Sequence, residues 1–301
     1  MTFTTNLKEE ISKVDNSLLE TRVELFGFIM ASGKIDDSIS LILENASVTR
    51  KLYKDFKKVF NINPTVTVRI QKRFRIKQIY ILNIYDKANL LKEINTFDPL
   101  EIDTEEEKIS FLRGAFLSIG NVSNPQTSGY HLEYICPNKN MALIIQKLLS
   151  SFNLNAKIIT RGYKEIVYLK ASENISDLLK LFKATQSMFF FEDIRIYRDH
   201  KNMVNRLNNC EISNQTKTLQ TGIKQLEEIK YLKENDLIDI LDEKTKIIVD
   251  ARLKYPESSF SELAEIISLE YNYKIGKSGI NHHFIKIANI VKRHRMNNEN
   301  K

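Results

Sequence analysis

Cysteine is scarce in this 301-residue chain, and long apolar runs are absent. The two cysteines, Cys136 and Cys210, are too few for a disulfide framework and too isolated to hold zinc. No stretch approaches the roughly 18 consecutive apolar residues that a membrane-crossing helix needs. The first residues, MTFTTNLKEEISKV, mix acids into a short polar helical pattern that is not typical of a signal or transit peptide. We therefore expect a protein of a reducing cytoplasm, with no membrane partner.

The net charge is +7, and the excess of Lys and Arg is concentrated in two blocks. Residues 50–92 contain twelve Lys or Arg and two acids, and residues 271–301 contain seven and one. Between these blocks, residues 93–107 contain seven acids and no base. Separate basic blocks favour a polyanionic partner, above all nucleic acid. The alternative is a lysine-rich solvated surface, and composition alone does not separate the two interpretations.

A nine-residue element occurs twice, as LFGFIMASG at residues 25–33 and as LRGAFLSIG at residues 112–120. Each copy follows a hydroxyl residue and a glutamate at the spacing of a capping box, which predicts the start of a helix. Matching caps, glycines and spacing indicate an internal repeat. The residues of the two capping boxes are Ser17 with Glu20 and Thr104 with Glu107.

The patterns that follow each copy also match. Alternating and helical stretches come in the same order, so both copies predict α-β-β-α-β-β-α. We predict an α+β fold in which two such units, residues 17–94 and 104–182, form one domain at residues 17–195. We also predict an N-terminal helix at residues 1–16, before this domain.

Small residues stand four positions apart in each repeated helix, at Gly27 and Ala31 and at Gly114 and Ser118. This spacing lets two helix backbones approach closely. A glycine inside a helix costs up to about 1 kcal/mol relative to alanine, so a compensating contact is expected. We predict that the two helices pack on each other as a pseudo-twofold seam.

Two units joined through helices that end in a glycine resemble the LAGLIDADG homing endonuclease fold. In that family an acid stands just before the last glycine of each helix, and the two acids bind divalent metal and cut DNA. The corresponding residues here are Ser32 and Ile119, which are not the anionic oxygen ligands that Mg²⁺ prefers. Asp36 and Asp37 lie beyond the glycine and do not obviously replace them. The resemblance implies a degenerate scaffold, and we expect no catalytic residue, metal or cofactor.

A basic cluster is predicted at the tip of the hairpin between strands at residues 66–70 and 78–85. In the homing endonuclease family such sheets form a saddle over the duplex, which implies phosphate contacts for this tip. The alternative is an exposed hairpin whose charge prevents edge pairing. The cations of the cluster are Lys72, Arg73, Arg75 and Lys77.

Three helical stretches follow a helical connector that we place at residues 196–240. The second stretch opens with another capping box, Ser259 with Glu262, and a turn at residues 272–279 precedes the third. This order is typical of a helix-turn-helix, whose second helix enters the major groove of DNA. We predict an all-α helix-turn-helix domain at residues 241–301, with the motif itself at about Glu257 to Val291.

The polar and basic residues of the third stretch are the candidate DNA contacts. An apolar stripe of Ile280, Phe284 and Ile287 predicts its buried side, and the amide, hydroxyl and imidazole groups elsewhere suit base edges. The adjacent histidines lack the i, i+4 spacing of a helical metal pair. The alternative is a small helical bundle with a basic surface. The candidates are Lys277, Ser278, Asn281, His282, His283, Lys286, Lys292 and Arg293.

Nearly the whole chain resembles the WhiA family of bacterial regulators, most specifically in NRLNNCEISNQTKT of the connector and KSGINHHFIKI of the tail. The resemblance implies a sequence-specific, nucleoid-associated DNA-binding protein of cell division and chromosome segregation, and of sporulation control in spore-forming relatives. Gly276 stands where the family leads us to expect a capping serine, and glycine is also an acceptable N-cap.

Double-stranded DNA is therefore the expected partner, with other transcription or cell-division proteins as further candidates. One alternative is an active metal-dependent endonuclease, which Ser32 and Ile119 disfavour. The other is an RNA-binding or scaffolding protein, for which the sequence shows no stacking-aromatic motif.

Overall fold

The computed structural model describes residues 2–35, 38–71, 77–85 and 88–299. The contacts within the chain divide it into two compact units, Met1–Asp199 and His200–Lys301.

The first unit contains an N-terminal helix and two copies of one order of elements, which confirms the predicted α-β-β-α-β-β-α repeat. Helix α1 (Phe3–Ile11) precedes both copies. The first copy consists of α2 (Leu18–Ser32), β1 (Lys34–Ile35), β2 (Ile39–Leu43), α3 (Ala46–Phe60), β3 (Thr65–Gln71), β4 (Lys77–Ile84) and α4 (Ala88–Thr96). The second copy consists of α5 (Glu105–Ile119), β5 (Gly120–Val122), β6 (Leu132–Cys136), α6 (Lys139–Ser151), β7 (Lys157–Arg161), β8 (Lys164–Leu169) and α7 (Ser172–Leu181).

Hydroxyl caps begin both repeated helices, but of the two predicted capping boxes only the one at α2 has both of its hydrogen bonds among the described contacts. Ser17 and Glu20 form the full capping box at the start of α2. At the start of α5 the Thr104 hydroxyl accepts the backbone N–H of Glu107 at 3.3 Å. These contacts satisfy donors that have no partner within the first turn of a helix.

Each copy forms a four-stranded antiparallel sheet, with strand order β1-β2-β4-β3 in the first and β5-β6-β8-β7 in the second. In β2, Ile39, Leu41 and Leu43 are buried, and the residues between them are more exposed. Because successive side chains of a strand point to opposite faces, one face of the sheet belongs to the core and the other is open.

Helices α2 and α5 meet so closely that the seam has no room for a side chain at either glycine, which confirms the predicted packing. A Cβ atom on Gly27 would lie 2.3 Å from the backbone oxygen of Phe111. A Cβ atom on Gly114 would lie 2.0 Å from the backbone oxygen of Glu24. Real Cβ contacts of this length do not occur, so the glycines allow the approach of the two helices.

An ion network is buried beside this seam, and sequence analysis did not predict it. Arg113 and Glu24 are 1% and 2% exposed, and the Arg113 Nε atom lies 2.7 Å from Glu24 Oε2. The same carboxylate accepts a hydrogen bond from the Asn16 amide at 2.7 Å, and its other oxygen lies 3.1 Å from Lys51 Nζ. Lys51 also pairs with Asp55. Burial alone lowers the pKa of Lys51, but the two carboxylates outweigh it and raise that pKa.

Helix α8 (Thr185–Glu234) is 50 residues long and covers most of the predicted connector. It begins eleven residues before that prediction, at the end of the second copy. Glu10 of α1 caps this start, since its carboxylate accepts the backbone N–H groups of Gln186 and Ser187 at 2.6 and 2.9 Å. An anion at this end of a helix is favoured by the free N–H groups and the helix dipole.

The second unit contains α9 (Glu243–Lys254), α10 (Phe260–Glu270) and α11 (Lys277–Glu299), together with the end of α8. The predicted capping box at Ser259 is confirmed. The predicted turn at residues 272–279 is too long, because α11 begins at Lys277. Gly279 lies inside the first turn of α11, where the side chain of Ile275 occupies the space beside it.

Among the described residues, no helix is long and apolar enough to cross a membrane.

Candidate nucleic-acid interface

A buried arginine holds the helices of the second unit together. The Arg252 side chain is 1% exposed, and its Nη1 atom donates to the Ser258 carbonyl at 2.6 Å and to the Pro256 carbonyl at 3.3 Å. Its guanidinium lies 5.9 Å from the ring centre of Phe260 and 5.6 Å from that of Phe284. Burial lowers the pKa of Arg252 to about 10. The residue thus links the turn after α9 to both helices of the motif.

Helix α11 has one buried face and one exposed face. The predicted apolar stripe is confirmed, since Ile280, Phe284 and Ile287 are buried, and Val291 continues it. The Gly276 carbonyl accepts the first helical bond from the N–H of Ile280 at 3.1 Å. With the stripe turned into the core, the opposite face of α11 is presented to solvent.

Six of the eight predicted contact residues lie on that exposed face. In the described part of the chain, the side chains of Lys277, Ser278, Asn281, Lys292 and Arg293 form no hydrogen bond or ion pair. The ring of His282 lies edge-on to that of His283, with the ring centres 6.3 Å apart. The six residues are Lys277, Ser278, Asn281, His282, Lys292 and Arg293.

The other two candidates already have partners at the start of α9. His283 is half-buried, and its Nδ1 atom lies 2.8 Å from the Thr245 hydroxyl. Burial lowers the pKa of His283, against the effect of the Asp242 carboxylate, so the ring is neutral at pH 7. Lys286 Nζ lies 2.6 Å from Asp242 Oδ1. Hydrogen bonds from Lys286 and Thr245 hold the pKa of Asp242 well below its usual value.

Two residues of the exposed face were missed by sequence analysis. Ile285 is 50% exposed, and Asn289 follows it by one helical turn. Both lie on the same side as Asn281, because residues four apart stack along a helix. The i, i+4 spacing from Asn281 was the available signal. Exposed amide and alkyl groups together suit the edge of a base pair and the methyl group of thymine.

The C-terminal turns of α11 are attached to α8 through one aromatic side chain. The Arg295 guanidinium lies 4.6 Å from the ring centre of Tyr231, and the Tyr231 hydroxyl lies 3.0 Å from His294 Nδ1. Arg295 is exposed like the neighbouring Lys292 and Arg293, but its guanidinium lies against the Tyr231 ring.

The ends of the seam helices carry neutral side chains. The Ser118 hydroxyl donates to the Ser32 hydroxyl across the seam, so Ser118 and not Ile119 faces Ser32. Ile119 packs against the core. Two hydroxyls supply no negative charge for a divalent cation. Asp36 and Asp37 lie outside the described residues.

Apolar residues pair across neighbouring strands in both sheets. In the first sheet Ile42, which is 52% exposed, pairs with Ile81, and in the second Ile135 and Ile159 both pair with Ile166, which is buried. The first sheet also has polar side chains beside this row, since Thr67 pairs with Ile81 and Arg69 with Ile79. Of the predicted basic tip, Lys72, Arg73 and Arg75 lie outside the described residues, and Lys77 is described only as the first residue of β4.

The sequence matches three family models along most of its length. They are described as the WhiA N-terminal LAGLIDADG-like domain, residues 20–95, the WhiA LAGLIDADG-like domain, residues 108–201, and the WhiA C-terminal HTH domain, residues 204–291. The chain is 36% identical to a Staphylococcus aureus protein named probable cell division protein WhiA. The alignment spans 306 residues and covers 97% of this chain and 96% of that protein.

Two solved structures are similar to this one. Full-length DUF199/WhiA from Thermatoga maritima is 27% identical, with a TM-score of 0.60 and coverage of 97% of this chain and 99% of that one. The N-terminal LAGLIDADG domain of DUF199/WhiA is 28% identical, with a TM-score of 0.52, and the match covers 60% of this chain and 90% of that one. The fold is thus a LAGLIDADG-like double repeat followed by a helix-turn-helix domain. The chain belongs to the WhiA family.

Proposed function

We propose that this protein is a sequence-specific DNA-binding regulator without nuclease activity, and that α11 is its recognition helix. The exposed face of α11 carries this proposal, because five of its side chains form no hydrogen bond or ion pair within the described chain: those of Lys277, Ser278, Asn281, Lys292 and Arg293. The name of the Staphylococcus aureus relative supports a role in cell division. We extend that role to chromosome segregation, at the nucleoid in the cytoplasm, with other transcription or cell-division proteins as further partners.

The start of α11 would enter the major groove. There Asn281 and His282 offer donors and acceptors to base edges, and Ile285 would meet a thymine methyl group. Lys292 and Arg293 lie two to three turns further along, where the helix would leave the groove and pass the phosphates. His283 and Lys286 would orient α11 through Thr245 and Asp242, since a phosphate contact by Lys286 would compete with its present ion pair.

The first expected result concerns specificity. Asn281→Ala should remove about 1–3 kcal/mol of discrimination between the cognate and a scrambled duplex, while weak, salt-sensitive binding remains. Lys292→Ala should weaken binding to both duplexes equally and reduce the slope of log K against log salt by about one unit. Competition titrations at several salt concentrations measure both effects.

Asn297→Ala is the matched control, because Asn297 is an exposed asparagine at the far end of the same helix. It should retain the discrimination of the wild type. If Asn281→Ala also retains it, α11 is not the element that reads the sequence.

The second expected result is that DNA remains intact. The resemblance gives the positions of the metal ligands to Ser32 and Ile119, and Ser118 faces Ser32 across the seam. None of these side chains is an anionic ligand, so supercoiled and genomic DNA incubated with Mg²⁺ or Mn²⁺ should be bound and not cut. A metal-dependent nuclease run in parallel shows that the assay detects cleavage. Reproducible cleavage by the wild type that disappears in Asp36→Asn or Asp37→Asn would show instead that these acids replace the missing ligands.

A further inference from the structure

A row of uncharged polar residues runs along the exposed part of α8 in the second unit. Successive members are three or four residues apart, so they lie on one face of the helix. The first and last members are 18 positions apart, which corresponds to about 27 Å along the helix axis. All of its members are exposed. They are Asn202, Asn205, Asn209, Ser213, Thr216 and Gln220.

Nothing within the described chain accounts for this choice of residues. The Thr216 hydroxyl donates to the Ile212 carbonyl of the same helix, and the other five side chains have no hydrogen-bond partner among the described residues. Asn, Ser and Thr are weaker helix formers than alanine. An exposed helix without packing on this face is normally supported by strong helix formers and by i, i+4 charge pairs. The row therefore weakens the helix that carries it.

The charges around the row favour an anionic partner. From His200 to Lys224 the helix has four Lys or Arg and one acid. Arg206, Lys217 and Lys224 are separated by 11 and 7 residues, which places them together along one edge of the row. Glu211, the acid, lies on the opposite side of the helix. Of the exposed apolar residues, Met203 and Leu207 lie away from the row, whereas Ile212 and Ile223 lie along its other edge.

We propose that this row is a second DNA-contacting surface, which binds duplex DNA in addition to α11. Amide side chains both donate and accept hydrogen bonds, as base edges require, and the cations along the edge suit phosphates. A protein partner is the less favoured occupant, since the row itself contains no apolar side chain. This inference rests on the proposed function, because it assumes that the protein binds DNA.

The test uses the full-length double variant Asn205→Ala/Asn209→Ala. Alanine is the better helix former, so the variant retains α8, which circular dichroism checks. The probe is a 40-base-pair duplex carrying the site that the wild type selects from a random pool. We expect affinity to fall roughly tenfold or more, which is the range for losing bidentate amide contacts. The salt slope should be unchanged, because the amides carry no charge.

The matched control is Asn214→Ala/Thr221→Ala, which changes polar residues on the opposite side of α8 and should bind like the wild type. If both double variants bind like the wild type, the inference is wrong. If the Asn205/Asn209 variant binds DNA normally but loses a dimer seen by sedimentation, the row contacts a second copy and the inference is also wrong. If this inference is wrong but Asn281→Ala still loses discrimination on the same duplex, the proposed function stands. A wild type that binds no DNA would overturn both the inference and the proposed function.

Discussion

Glu24→Gln should lower the free energy of unfolding by about 3–5 kcal/mol, although it changes the volume of the side chain very little. The variant leaves Arg113 and Lys51 buried without the carboxylate that both contact, at 2.7 and 3.1 Å. Removing one partner of a buried ion pair is strongly destabilising, because the remaining charge has lost its hydration and gained no counter-charge. Urea denaturation of the full chain, followed by circular dichroism, measures the loss.

The matched control is Glu243→Gln, the same chemical change in an exposed ion pair with Lys246. Exposed pairs contribute about 0–1 kcal/mol, so the control should unfold close to the wild type. Equal stability of the two variants would show that Glu24 is hydrated and that the network is not closed to water. The double variant Glu24→Leu/Arg113→Met should recover part of the loss, because apolar replacement of a buried pair is often nearly neutral.

Gly114→Ala should destabilise the protein by about 3 kcal/mol or more, although alanine is the better helix former. The added Cβ atom would lie 2.0 Å from the backbone oxygen of Glu24. A backbone carbonyl in the middle of α2 does not move without the helix, so the two helices must separate or bend. Thermal unfolding of the variant and the wild type under the same conditions measures the effect.

Gly129→Ala is the control for this substitution, because no atom lies within 4 Å of an added Cβ there. It should change the unfolding temperature little. If Gly114→Ala is as stable as Gly129→Ala, helices α2 and α5 do not meet at this glycine. The same pair of variants can be tested for DNA binding, which would show whether the seam matters to the second unit.

The seam between α2 and α5 is not symmetric in its side chains. When the two copies are aligned at their 87-residue offset, Glu24 corresponds to Phe111 and Phe26 corresponds to Arg113. The ion pair consequently has no counterpart under the pseudo-twofold relation. The two copies share the order of their backbone elements, but only one side of the seam carries the buried ion pair. At the C-terminal ends of the two seam helices, Ser32 and Ser118 bond to each other.

Much of the fold could be predicted because its signals are local. A hydroxyl at the N-cap, a glutamate three residues later and an apolar spacing of three to four residues act within one or two helical turns. This is why the starts of α2, α5 and α10, the order of strands and the glycine seam were predicted correctly. The turn before α11 was too long in the prediction, since Gly279 lies within the first turn of that helix, where Ile275 packs beside it.

The candidate interface was predictable only in part, for the same reason. The periodicity of α11 identified its buried stripe, and hence the exposed side of Asn281 and His282. The i, i+4 spacing from Asn281 also indicated Ile285 and Asn289, which were missed because an alkyl group and a single amide are weak signals of a DNA contact. The sequence also left open which of its cations are already paired, as Lys286 is with Asp242, 44 positions earlier.

The sequence by itself determined the double repeat, its α+β order and the helix-turn-helix tail. Each of these depends on residue type and spacing within short stretches of chain. Only the tertiary structure decided that Glu24 and Arg113 form a buried pair, that Ser118 faces Ser32, that Arg252 links three helices, and that Lys286 and His283 are held by α9. These contacts join residues far apart in the chain, and a carboxylate or guanidinium has the same identity in the sequence whether packing leaves it in water or closes it into a core.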